Sequence, residues 1–131
     1  MRRPSSIRLR LAMLAFALLV AALAGCGGSS SSTIPVGGGA SVTVDATSYS
    51  HDSVTIQAGE SVTWTWAASG HTVTSIPLVT NCTPNGLFDS GVLSSGATYT
   101  HVFNTPGTYA YGCTANNDCS TLNQSALVVV Q

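Results

Sequence analysis

Residues 53–67 read SVTIQAGESVTWTWA, and this stretch decides the fold. Val54 and Ile56 alternate with Ser53, Thr55 and Gln57, the segment Ala58 to Ser61 breaks the run, and Val62, Trp64 and Trp66 resume it. A period of two places these apolar side chains on one face of an extended strand, whereas a helix would need them every three or four residues. The same alternation opens the region at SVTVDAT (41–47) and returns in ATYTHVF (97–103), GTYAYGC (107–113) and SALVVV (125–130). These runs are β-branched and aromatic, and Gly, Pro, Asn and Ser separate them. No segment carries a convincing helical period. About ninety residues in some seven or eight short strands predict one all-β domain, a Greek-key sandwich or small barrel. Trp64, Phe103, Tyr109 and the valine rows are its expected core.

The first quarter of the chain reads differently. Arg2, Arg3, Arg8 and Arg10 precede an apolar run from Leu11 to Leu23, the layout of a secretory signal. The run is short for a membrane span. It closes on LAGC (23–26), which resembles the bacterial lipobox. That resemblance implies cleavage after residue 25, a lipid on the Cys26 sulfur and attachment to a membrane. An ordinary signal peptide would instead leave Cys26 as a thiol. Gly27, where an aspartate would retain the protein elsewhere, favours the outer membrane in a two-membrane cell. Residues 26–40 are Gly/Ser-rich and predict a flexible tether, leaving 41–131 as the folded domain.

Charge narrows the function classes. All four basic residues lie within the signal, so the exported part carries Asp45, Asp52, Glu60, Asp89 and Asp118 and no Lys or Arg. With neutral histidines its net charge is −5. Such a domain has nothing to pair with phosphates, which excludes nucleic acid as a partner. Export also places Cys82, Cys113 and Cys119 where disulfides persist, and any single pair leaves one thiol over.

On these strands sit VTIQAGESVTWTW, SGHTVTS, HVFNTPGTYAYGC and a terminal ALVVV, in that order. Together they resemble the cupredoxins, the plastocyanin- and phytocyanin-like blue copper domains, over roughly residues 41–130. The resemblance implies a one-electron carrier whose copper is held by a histidine after an early strand and by a Cys-His-Met set on the last loop. His71 matches the first ligand and Cys113 the thiolate; thiolate and imidazole suit copper, with a weak oxygen or sulfur donor completing the site. The remaining positions depart from the pattern. Asn116 and Asp118 stand at the two places where the family puts its second histidine, and Asn123, or its neighbour Gln124, stands at the methionine. By the phytocyanin-like comparison Cys82 pairs with Cys119, leaving Cys113 at the ligand position. A bond from Cys113 to either of the others would remove the thiolate.

Other candidates receive plainer readings. His101 is expected to be a strand residue away from any metal, and His51 a solvated loop residue. Trp66 stands near a place where the family often has an asparagine that braces the ligand loops. The sequence therefore predicts a membrane-tethered cupredoxin of the cell envelope, binding copper at His71, Cys113, Asp118, Asn116 and Asn123 and serving a redox protein partner. The alternative is a cupredoxin-fold binding or structural module without metal. An enzyme is not expected: no hydrolase motif appears, and the multicopper enzymes that reuse this fold need several domains and more histidines.

Overall fold

The structure, a computed structural model, describes residues 38–131. Seven strands form two sheets: β1 (Ala40–Val44), β2 (Ser53–Ile56), β3 (Glu60–Trp66), β4 (Thr74–Ile76), β5 (Thr98–Phe103), β6 (Gly107–Gly112) and β7 (Ser125–Val130). One sheet has the order β1-β3-β5 and the other β2-β7-β6-β4. From β1 to β6 the chain changes sheet at every step, so neighbours in sequence face each other across the core. Two pairings are consequently parallel, β1 with β3 and β2 with β7, and the others antiparallel. This is the all-β sandwich the alternation predicts.

The inward faces are the ones read from the period of two. Val62, Trp64 and Trp66 of β3 are buried, and the parallel register sets Val42 beside Trp64 and Val44 beside Trp66. Ala126, Val128 and Val130 supply the facing sheet. Fully burying a side chain of this kind contributes about 1.5–3 kcal/mol. Trp64 is the hub, its indole against the rings of Tyr111, Tyr99 and Phe88 at centroid distances of 5.3, 5.9 and 6.0 Å.

Three features differ from the sequence reading. Ala40, expected to end the tether, begins β1, and the Gly38 N–H donates to Glu60 Oε1 at 2.9 Å. Strand β4 has no alternation to betray it, because all three of its residues are buried. Its outer side is covered by a second, small cluster of Ile76, Ala110 and Cys119, with Val79, Cys82 and Leu127 packed against it. A short helix, α1 (Asp118–Thr121), follows a single 3-10 turn at Ala115–Asn117.

The Cys82–Cys119 disulfide forms, which leaves Cys113 as a buried free thiol. It lies directly over the end of β6: a Cβ at Gly112 would come 2.9 Å from the Cys119 sulfur and 3.2 Å from Ile76 Cδ1. Glycine at 112 is thus the space in which the cystine sits. Residues 1–37, with the expected signal and the Cys26 lipidation site, lie outside the described residues.

Candidate metal centre

The crossing topology brings two loop regions to one end of the sandwich. The first follows β3. Trp66 is buried, and its Nε1–H donates to the His71 carbonyl at 2.9 Å; the Leu93 N–H donates to the same oxygen at 3.1 Å. The backbone of His71 is therefore fixed from two sides. Trp66, at the place where the resemblance leads one to look for a bracing asparagine, does the bracing itself. Thr72 extends the support: its carbonyl accepts the Tyr49 O–H at 2.8 Å, and its N–H points at Cys113 Sγ at 3.4 Å.

The second region is the loop from Cys113 to Gln124. Its two ends are tied, the Cys113 N–H to the Gln124 carbonyl at 3.0 Å and the Cys119 N–H to the Cys113 carbonyl at 2.8 Å. So short a loop turns back only with left-handed backbone, which Asn116, Asn117 and Asn123 supply at φ 52°, 62° and 55°. Asparagine enters that region more readily than most residues. Asn116 and Asn123, expected as ligands, are exposed and hold this turn geometry. The turn swings Asp118 inward, where it is buried.

Three donors meet as a result. His71 Nδ1 lies 3.1 Å from Asp118 Oδ2, and Cys113 Sγ lies 3.6 Å from each of them. All three residues are buried, and their donor atoms form a group suited to a metal ion. A point about 2 Å from every corner of such a triangle exists, which is the length of a metal bond to nitrogen or oxygen and slightly under one to sulfur. A further acceptor belongs to the same loop: Gln124 Oε1 is buried without a partner, while its Nε2 donates to the carbonyls of Asp45 and Ser48. A buried carbonyl oxygen left unpaired is costly unless something else takes it up. Donor types and spacing fit a resident metal. In sequence, Gln124 was legible only as the neighbour of the methionine position.

The geometry also excludes a nucleophilic triad. There, the cysteine and the carboxylate must occupy opposite nitrogens of the imidazole so that it can relay a proton. Here both face Nδ1. Burial moreover pushes the Cys113 thiol up, against the lowering effect of the Thr72 N–H, and the Asp118 carboxylate pushes it up further. A metal ion would reverse that balance; an approaching substrate would meet a protonated thiol.

Hydroxyls buttress the same corner. Thr74 Oγ1 lies 3.0 Å from Thr72 Oγ1, 3.1 Å from Thr114 Oγ1 and 3.0 Å from Asp89 Oδ1. The Thr114 N–H donates to Thr72 Oγ1 at 2.9 Å. This lattice ties the residue after His71 to the residue after Cys113. The other histidines stand apart, His101 between the rings of Phe88 and Phe103 and His51 against Ser50 Oγ.

Comparison with known proteins bears on the fold that carries this site. A purple cupredoxin from Nitrosopumilus maritimus is 29% identical, matching 70% of this chain and 99% of its own with a TM-score of 0.58. Auracyanin from Roseiflexus castenholzii is 16% identical over 74% of this chain and 99% of its own, TM-score 0.56. A Cu-containing nitrite reductase from Thermus scotoductus is 19% identical over 75% of this chain, which corresponds to 22% of the reductase, TM-score 0.55. At these identities the last two speak for the fold alone. No curated protein matches the sequence. The PKD domain family model matches residues 29–130, a description that names no metal. Family model and fold are separate findings: the first groups the chain by sequence, the second by strand order and coordinates. Its fold is that of the cupredoxins, and by the family model the chain belongs to the PKD domain family.

Proposed function

We propose that this protein is a copper-binding electron carrier of the cell envelope, holding one ion through Cys113, His71 and Asp118. The observation that carries the reading is the buried triangle of Sγ, Nδ1 and Oδ2 with edges of 3.1 to 3.6 Å. Copper bound there supplies a one-electron couple. The chain supplies the rest. Cys113 offers the soft anionic donor, and the Thr72 N–H holds its sulfur in place. His71 presents Nδ1 because Trp66 and Leu93 fix its carbonyl. Gln124 Oε1, buried without a partner on the same loop, is the candidate for the weak oxygen donor that can complete a copper site. The sandwich end excludes bulk water from all of these.

The envelope location rests on the arginine-flanked apolar run and on the Cys82–Cys119 disulfide, which suits an oxidising compartment. Among the described residues no helix is long and apolar enough to cross a membrane. Attachment is assigned to a lipid on Cys26, with residues 27–37 as the leash. Mass spectrometry of the membrane fraction tests this, and an unmodified Cys26 overturns it.

Titration of the purified, metal-free protein with Cu(II) tests the centre. A thiolate-to-copper absorption band is expected, with loss of the Cys113 thiol. A colourless titration with Cys113 still reactive would overturn the reading and leave a metal-free binding module.

A further inference from the structure

The charge of the donor set says more than its geometry. Metal binding deprotonates its ligands, so Cys113 and Asp118 each bring one negative charge and His71 brings none. A divalent ion makes the group neutral; Cu(I) leaves it with one negative charge. Nothing nearby offsets that charge. Residues 38–131 contain no Lys or Arg, and neither His51 nor His101 belongs to the group. Among the described residues the Asp118 carboxylate meets only His71 Nδ1 and Cys113 Sγ, with no backbone N–H bonded to it. All three ligands are buried, where an unbalanced charge is most costly. Had position 118 been a second imidazole, the same count would have left Cu(I) neutral and a divalent ion positive.

Resting on the metal reading above, we infer that Asp118 sets the centre to hold divalent ions in preference to Cu(I). Zn(II), Co(II) and Cu(II) are its matched ligands. The hardness of the carboxylate oxygen acts in the same direction, since it is a harder donor than imidazole or thioether. As an electron carrier, the protein would consequently hold its oxidised form more tightly than its reduced form.

The test compares the full chain with Asp118→Asn and Asp118→His, metal-free and anaerobic. Co(II) is titrated by its thiolate absorption, Zn(II) by displacement of Co(II), and Cu(I) by competition with a coloured chelator. Asp118→Asn is expected to weaken Co(II) and Zn(II) by about 100-fold and Cu(I) by less than about tenfold. Asp118→His should raise the ratio of Cu(I) to Zn(II) affinity above that of the native chain. Equal losses for all ions in Asp118→Asn, or an unchanged ratio in Asp118→His, would overturn the inference while leaving the metal site standing. Failure of the native chain to bind any of the three ions would overturn the metal reading itself. Near-ultraviolet circular dichroism confirms that each variant is folded before it is scored.

Discussion

Two imidazoles are packed against this sandwich, and their surroundings make them different objects. His71, at the loop end, has a sulfur and a carboxylate oxygen within 3.6 Å of one ring nitrogen. His101, in the middle of β5, has Phe88 and Phe103 at 4.7 and 4.8 Å between ring centres. His101 is half-buried among aromatic rings, and packing of that kind does not make a ligand. What makes one is convergence of donors from distant parts of the chain, 42 and 47 residues away in the case of His71. The loop end gathers its buried polar groups into one cluster, whereas in the aromatic middle the Trp64 Nε1–H and the Tyr111 O–H are buried without a partner.

The sharpest way to break the contrast is to remove a donor. His71→Ala or Cys113→Ser should abolish the thiolate-to-copper band, while His101→Phe should leave its wavelength unchanged. Absorption spectroscopy after Cu(II) titration reads all three, and a band that survives Cys113→Ser would remove the site from this end of the molecule. Next in size is the cystine that lies over β6. Replacing Cys82 and Cys119 together by alanine should cost about 4 kcal/mol of unfolding free energy, the loop-closure value for a bridge of this span. Chemical denaturation measures it; a loss under about 1 kcal/mol would mean that the unfolded chain gains little freedom from the cut.

How far each region could be read from sequence follows from the same contrast. The sandwich middle was legible because burial there is periodic: Val62, Trp64 and Trp66 can only face one way. Strand β4 was not, since cover on both sides removes the alternation. His71 and Cys113 could be placed because they stand beside strand ends with a known pattern around them, and the cystine followed from the same pattern. Asp118 was one of several polar residues in its loop. Selecting it over Asn116 and Asn123 required the backbone, because the left-handed turn at Asn116 and Asn117 leads directly into the buried Asp118. The support from Trp66 was invisible for another reason: a bond from an indole to a carbonyl five residues ahead leaves no trace in composition or period.

That bond gives a third and smaller effect. Trp66→Phe keeps an aromatic side chain in the core but leaves the His71 carbonyl with only the Leu93 N–H. A loss of about 1 kcal/mol in stability is expected. If Trp66 positions the ligand, the copper band should also shift or broaden in this variant. An unchanged band together with reduced stability would confine Trp66 to packing.

The smallest effect concerns the other imidazole. Burial between the phenylalanine rings lowers the His101 pKa from the ordinary histidine value. The folded state therefore binds fewer protons than the unfolded state near that value, and stability must rise with pH there. His101 contributes in full above the unfolded histidine pKa, about 6.5. The contribution disappears as pH falls through the lower folded value, because the charged ring is then forced against Phe88 and Phe103. Denaturant midpoints measured from pH 8 down to pH 5 should accordingly fall more steeply for the native chain than for His101→Phe, whose ring fills the same slot without titrating. Parallel curves for the two proteins would mean that the His101 ring is as well solvated folded as unfolded. The middle of the sandwich would then be wetter than its ring packing implies, and the contrast with His71 would narrow to the donors alone.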